Sequence, residues 1–306
     1  MLKTILLLLA TLIALPFLAV WYDQPLSPEQ WATVKNLLTG MLAVALLCFV
    51  VSESTRNYSQ VDKLWSLLPI GYVWYVAAEA GFGARVTLMA ALVTLWGLRL
   101  TYNFARRGGY HWIPWKGEED YRWGILRENP LLRNRLSWAA FNLFFISLYQ
   151  NTLILLFTLP IVVAWQGQSR PLNWLDATAA LLMLGFIGME TIADQQQWNF
   201  QQEKKRLRTS GATLTGEYAA GFCSSGLWSR VRHPNYAAEQ ATWLSFYLFS
   251  VAATGRWLNW SLAGAVLLML LFLGSSDFSE KISAGKYPAY AEYQRRVPRF
   301  LPGLIF

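Results

Sequence analysis

Three groups of residues in this chain have the types and spacing to do chemistry. The first is the string Gly226-Leu-Trp-Ser-Arg-Val-Arg-His-Pro-Asn-Tyr236, followed by Glu239. Pro234 is well placed as the first residue of a helix, with His233 as its cap. A helix start draws phosphate, and Arg230 and Arg232 add positive charge there. Asn235 and Glu239 are four apart and share a helical face. The second group is Glu190 and Asp194, also four apart, with Gln197 and Gln201 continuing their face. Such a wall can accept hydrogen bonds from a sugar or an amide; it also suits a solvated helix end pairing with nearby arginines. The third group is Asp62 and Trp65, three apart on one face, with Tyr102 at the end of the next apolar run. A buried carboxylic acid beside a tyrosine hydroxyl can donate to and polarise a carbonyl. The plainer alternative is an interfacial Asp62 paired with Lys63 or Arg56.

The elements that must carry these groups follow from composition. Of 306 residues, 55% are hydrophobic, 15% aromatic and only 14% charged. A soluble domain carries about 25% charged residues, so the class is a multi-span membrane protein. Continuous apolar runs argue against an outer-membrane barrel, whose strands alternate. The expected fold is all-α: a bundle of about eight spanning helices near 4–22, 36–52, 63–79, 84–102, 138–165, 175–193, 237–254 and 257–275, with C-terminal cytosolic loops and short helices. The first run follows Lys3 but lacks a small-residue cleavage site, which favours an uncleaved helix. The fifth is long and carries Asn142, Gln150 and Asn151, so it is tilted or broken. Two Cys and two His leave no material for a metal centre of the zinc, haem or iron–sulfur type, and no metal is expected.

Charge orients the bundle. Stretches 103–137, 194–236 and 276–306 hold 18 of the 26 Lys and Arg residues. With eight spans, all three lie on one side, which the positive-inside rule makes the cytoplasm, with both termini there. A bacterial inner membrane is the expected location. His111, in Tyr-His-Trp-Ile-Pro-Trp, reads as part of an interfacial aromatic patch, and Tyr72, Trp74 and Tyr75 read as packing.

The string GLWSRVRHPNYAAE resembles the cofactor motif of the steroid 5-alpha-reductase superfamily, which includes sterol C14 and C24 reductases and a large bacterial branch of unassigned substrate. The tail is similar too: Asp277, Lys281, Lys286-Tyr287-Pro288-Ala-Tyr290, Tyr293 and Arg299-Phe-Leu-Pro302. Upstream, Asp62-Lys-Leu-Trp65, WGLRLTYNFARRGG and EEDYRW resemble the bacterial branch. The likeness covers 57–306, a reductase-like domain, and leaves 1–56 as N-terminal helices that match weakly. It implies an NADPH-dependent reductase of a polarised carbon–carbon double bond. It assigns cofactor contacts to Arg107, Glu190, Asp194, Arg232, His233, Asn235, Tyr236, Glu239, Asp277, Lys281, Tyr287 and Tyr290, and leaves Asp62, Trp65 and Tyr102 for catalysis. No glycine-rich nucleotide fingerprint is present. Lys204, Lys205, Arg206 and Arg208 suit either a 2′-phosphate or positive-inside anchoring. The steroid enzymes' Gln-Glu pair has no clear counterpart, and Ser275 and Ser276 replace their tail histidines, so the resemblance does not single out a steroid among enone, sterol-like and lipid substrates. The expected partners are a lipophilic small molecule and membrane lipids, with no nucleic acid.

Two other readings compete. Isoprenylcysteine carboxyl methyltransferases, which use S-adenosylmethionine, share an Arg-His-Pro-x-Tyr motif and a Tyr-x-x-Tyr tail. Their paired glutamates correspond here to Ser279-Glu280, and Asn235 favours the reductase. A non-enzymatic scaffold or transporter would not need matched motifs in three basic segments, and no broken-helix repeat supports transport.

Overall fold

Ser27 and Pro28 start the first long helix. Ser27 Oγ accepts from the Gln30 amide (3.2 Å) while Gln30 Oε1 accepts from the Ser27 amide (3.0 Å), a reciprocal cap that satisfies two otherwise orphaned donors. Pro28 sits at the first helical position, where a missing N–H costs nothing. This helix, α1 (Pro28–Thr55), ends at Arg56, whose φ of 58° turns the chain out of the helix.

The computed structural model describes residues 10–12, 14, 16, 23–113 and 115–303. After α1 come α2 (Gln60–Leu64), α3 (Leu68–Glu79), α4 (Ala84–Ala105), α5 (Tyr121–Arg127) and α6 (Arg135–Phe141). A π-helical segment (Asn142–Tyr149) leads into α7 (Gln150–Thr158) and α8 (Pro160–Gln166). Then follow α9 (Trp174–Thr209), α10 (Gly216–Ala220), α11 (Pro234–Thr254), α12 (Leu262–Lys286) and α13 (Tyr290–Arg296). No strand occurs among the described residues, so the fold is all-α.

Five of these elements are long and apolar enough to cross a membrane: α1, α4, the continuous run 135–166, α9 and α12. The 22 residues of α4 reach about 33 Å, against a hydrocarbon core of about 30 Å. The other three expected spans differ. The 4–22 run lies almost wholly outside the described residues. Over 63–79 the only full-turn helix is α3, whose 12 residues reach about 18 Å. Helix α11 has the length, 21 residues, but carries Glu239, Gln240, Thr242, Ser245 and Ser250, all buried. The fifth run is broken twice, by the π-helical segment and by Pro160, which starts α8 where a proline removes the hydrogen bond of a continuing helix.

The chain forms two compact units, one of residues 1–180 with 246–268, the other of 181–245 with 269–306. In the first, the run 135–166 is the most enclosed, with Ile146, Leu153, Ile154, Leu155 and Phe157 fully buried. Gly264 lets α12 approach α7 closely: a Cβ there would lie 2.3 Å from the Leu156 carbonyl oxygen. A buried ion pair ties the start of α4 to the start of α9. Arg85 Nε and Nη2 donate to Asp176 Oδ1 (2.7 Å) and Oδ2 (2.9 Å), and Nη2 also donates to the Pro171 carbonyl (2.8 Å). In the second unit, the Arg-His-Pro turn and the chain's tail form the centre.

Candidate functional site

In the second unit the Arg-His-Pro turn is stitched to the tail at both backbone and side-chain level. The amides of Arg232 and His233 donate to the carbonyls of Pro298 (2.8 Å) and Arg299 (3.1 Å). Arg232 Nε and Nη2 donate to Glu280 Oε1 (2.7 Å) and Oε2 (3.2 Å), and Nη1 donates to the carbonyls of Gln294 (3.0 Å) and Val297. His233 Nε2 lies 2.8 Å from Glu280 Oε1, and Gln294 Nε2 donates to Oε2 at 2.9 Å. Glu280 is the acceptor on which the turn converges, and it is buried with Arg232 and His233. A buried carboxylate so saturated satisfies the rule that interior charges are paired and fully hydrogen-bonded.

Asn235 and Asp194, 41 residues apart, come together. Asn235 Nδ2 donates to Asp194 Oδ1 at 3.3 Å. One turn along α11, Glu239 accepts from Trp243 Nε1 (3.0 Å). Glu190, Asp194 and Glu239 are all buried. Tyr236 stacks on the His233 ring (centroids 5.2 Å) and meets Phe272 at 4.7 Å. The arrangement is a buried acceptor wall beside a rigidly held turn.

The tail residues fall into two sets. Asp277 pairs with Arg299 (2.7 Å), which also approaches Glu280 (3.6 Å), while Lys281 is exposed. Tyr287 and Tyr290 surround Phe222 with Tyr293, the rings lying 5.0–6.0 Å from it. Burial holds the Tyr290 and Tyr293 hydroxyls above their usual range, so both are neutral phenols. Lys204 is committed here: Nζ donates to the Gly221 carbonyl and lies 5.1 Å from the Tyr287 ring centre. Gly221 has φ 93°, and a Cβ would meet the Tyr287 ring at 2.4 Å, so only glycine fits. Lys205, Arg208 and Arg230 are exposed, and Arg206 pairs with Glu203. Burial pushes the neighbouring Cys223 thiol up to about 11, which makes it a poor nucleophile.

Arg107 and the Asp62 group belong to the first unit. The strand of chain carrying Asp62 is fastened to the loop after α4. Asn57 Nδ2 donates to the Gly117 carbonyl (3.0 Å), Lys63 Nζ to the Lys116 carbonyl (2.7 Å) and Tyr110 Oη to the Lys63 carbonyl (2.7 Å). Lys63 is therefore engaged with the loop, and Asp62 has other neighbours. Trp123 Nε1 donates to Asp62 Oδ2 (3.3 Å), and Ser59 shares a side-chain hydrogen bond with it. Ser59 Oγ also accepts from the Asp120 amide (2.9 Å), so one hydroxyl joins two carboxyl residues. Asp120 caps α5 and is gripped by Arg122 through Nε (2.9 Å) and Nη2 (2.8 Å).

These surroundings drive the two acids apart. Burial, then the Asp120 charge, pushes Asp62 above the ordinary carboxyl range. Burial also opposes ionisation of Asp120, but the charge and hydrogen bonds of Arg122, helped by Arg107, hold it below that range. Trp65 instead packs near Phe157 (6.2 Å), and Tyr102 is 68% exposed with the Arg106 guanidinium 5.6 Å above its ring. The structure thus groups Asp62 with Ser59, Asp120 and Trp123 rather than with Trp65 and Tyr102. Sequence reasoning met Asp120 and Trp123 only within EEDYRW and Glu280 only as the counterpart of a methyltransferase glutamate, gave none of them a site role, and did not single out Ser59. The signal for Glu280 was partial: the buried Arg232 needs a counter-charge, and the tail offers Asp277, Glu280 and Glu292 without marking which.

Residues 48–297 match the family described as a protein of unknown function, DUF1295. The chain belongs to this family. It is a steroid 5-alpha-reductase-like family, and the matched region contains every candidate residue named above except Arg299. An uncharacterized protein of the fission yeast Schizosaccharomyces pombe is 36% identical over 307 residues, which cover 90% of this chain and 87% of that relative. No solved structure matches.

Proposed function

We propose that the chain is a multi-pass membrane reductase that uses NADPH to saturate a polarised carbon–carbon double bond in a lipophilic substrate. The observation that carries this reading is the wall of buried Glu190, Asp194 and Glu239, joined by the half-buried Asn235, beside the Glu280-locked turn. The donor set fits the cofactor. Carboxylate and amide oxygens suit a carboxamide NH₂ and ribose hydroxyls, and the exposed Lys205, Arg208, Arg230 and Lys281 suit phosphates. Arg232, with its guanidinium on Glu280 and two carbonyls, serves by shaping the turn. NADPH, when bound, supplies a hydride.

The chain's own part is the proton and the stabilisation of charge on the substrate oxygen. Asp62, kept protonated by burial and by ionised Asp120, donates a hydrogen bond to a carbonyl oxygen as negative charge develops there. Trp123 and Ser59 hold the carboxyl group in one orientation. Arg122 keeps the charge on Asp120, which raises Asp62, while its own charge acts on Asp62 in the opposite sense.

In this reading the protein lies in a bacterial inner membrane with both termini in the cytoplasm and the three basic segments on that side. The purified protein in lipid nanodiscs should oxidise NADPH when offered members of a panel of enones, sterols and unsaturated lipids. Oxidation should stop when the conjugating carbonyl of an accepted substrate is removed; oxidation of unconjugated alkenes at the same rate refutes the carbonyl-polarising role.

A further inference from the structure

A cavity of about 950 Å³ opens in the first unit, and the reductase reading does not use it. It lies where the end of α1 meets the loop after α4. Thr55 and Asn57 line one side, and His111, Trp115, Lys116 and Glu118 line the other. Both α1 and α4 are long and apolar enough to cross a membrane. A cavity at the shared end of two such helices sits where the hydrocarbon stops and lipid headgroups begin. Trp112, next in sequence to His111, is 99% exposed. Amphipathic rings of this kind anchor a chain at that level.

The frame of the cavity is tied down. The Trp115 carbonyl accepts from Gln60 Nε2 (3.2 Å), the Lys116 carbonyl from Lys63 Nζ (2.7 Å) and the Gly117 carbonyl from Asn57 Nδ2 (3.0 Å). The Glu118 amide donates to the Gly108 carbonyl (3.0 Å). Gly117 has φ 125°, and a Cβ there would lie 2.4 Å from the Gly109 carbonyl oxygen, so this turn demands glycine. The charged side-chain heads are left over. Among the described residues, the Lys116 ammonium and the Glu118 carboxylate pair neither with each other nor with another side chain. His111 Nδ1 accepts from the Ile113 amide (3.0 Å), which leaves its Nε2–H as a donor. A fixed frame that carries uncommitted charges of both signs is preorganised for a ligand that carries both.

We infer that this cavity is a binding site for the phosphoethanolamine headgroup of a zwitterionic phospholipid. The open groups define the ligand chemistry. Lys116 and the His111 Nε2–H donate to the phosphate, and the Glu118 carboxylate accepts from the ammonium. A glycerol headgroup brings the phosphate but leaves Glu118 without a cation. A choline headgroup brings a cation with no N–H to donate, and such a cation is held by aromatic faces instead. Of the lining rings, Tyr110 is already committed: it meets Phe104 edge-on at 5.2 Å, and its hydroxyl donates to the Lys63 carbonyl. The carboxylate is therefore what meets the ammonium. The inference rests on α1 and α4 spanning the membrane and does not depend on whether the chain is a reductase.

The test offers the full chain, purified in detergent, an equimolar mixture of dioleoyl phosphatidylethanolamine, phosphatidylcholine and phosphatidylglycerol. The lipid retained is counted by native mass spectrometry. Wild type should retain phosphatidylethanolamine about five-fold over each of the others, the scale of one exposed ion pair. Glu118→Gln should bring phosphatidylethanolamine down to the level of phosphatidylglycerol. Lys116→Gln should lower retention of all three lipids by a similar factor, since each carries a phosphate. Both side chains are exposed, so both variants should unfold at the wild-type temperature. Equal retention of the three lipids by wild type, as expected if the two charges meet only solvent, would overturn the inference. So would a preference for phosphatidylcholine or phosphatidylglycerol, or an ethanolamine preference that survives Glu118→Gln.

Discussion

Arg232 and Glu280 form a buried two-pronged ion pair, with Nε–Oε1 at 2.7 Å and Nη2–Oε2 at 3.2 Å. The pair links the start of α11 to the C-terminal part of α12, 48 residues further along the chain. Through the Gln294 and Val297 carbonyls it also fixes where the tail lies. Arg232 is thereby a positioning residue, and its loss is expected first as a loss of stability. Removing one partner of a buried pair costs about 3–5 kcal/mol, because the other charge is left uncompensated. Arg232→Ala and Glu280→Ala should each lower the unfolding midpoint strongly. The double variant should be no less stable than the worse single one, since the two changes break one interaction. Additive losses in a double-mutant cycle would show that each side chain acts alone.

The Arg85–Asp176 pair offers a comparison far from any candidate site residue in sequence. Its fork geometry and carbonyl contacts are as complete as those of Arg232. Arg85→Ala should destabilise the protein by a similar roughly 3–5 kcal/mol. Nucleotide affinity, measured at a temperature where the variant is folded, should stay within about two-fold of wild type. A large specific loss of nucleotide binding would give Arg85 a role that nothing in its surroundings explains.

How much of this was legible in the sequence depends on whether a partner lay within a helical turn or across the fold. Glu190 with Asp194, and Asn235 with Glu239, are set by four-residue spacing, whereas the Asn235–Asp194 contact spans 41 residues and no local pattern announced it. The polar residues Asn142, Gln150 and Asn151 announced a broken helix, and the break is there. Glu280 was not legible as the hub, because nothing local distinguishes it from Asp277 three residues earlier. The partners of Asp62 were hidden for the same reason: Ser59 is adjacent, but Asp120 and Trp123 arrive through a loop some 60 residues away. Tyr102 has the right chemistry at the right end of α4, yet its ring points outward under Arg106, and periodicity alone could not fix that rotation.

Asp62 and Asp120 make a prediction with a definite sign in pH. Asp62 has a raised folded-state pKa, so its contribution to stability is complete below the ordinary carboxyl range and is lost as pH rises through the folded value. Turnover that needs the protonated acid should fall on the same limb. Asp120→Asn keeps the cap on α5 but removes the neighbouring charge and frees Arg122 to face Asp62. Both changes lower the Asp62 pKa, so the alkaline limb of the rate profile should move to lower pH. A limb that stays in place, or moves up, would remove Asp120 from the account. Asp62→Asn should lower turnover by about 100-fold or more and leave NADPH affinity within a few-fold.

The central claim, that the wall around Asn235 and the locked turn hold NADPH, is tested most directly by titrating the purified protein in nanodiscs with NADPH and with S-adenosylmethionine, in wild type and in Asn235→Asp. The substitution keeps the side chain's size but places a carboxylate against Asp194, where the amide now donates at 3.3 Å. Wild type should bind NADPH and leave S-adenosylmethionine unbound, and Asn235→Asp should weaken NADPH by at least about ten-fold, the effect of like charges in a buried site. Tight binding of S-adenosylmethionine with none of NADPH would contradict the account and identify a methyltransferase instead.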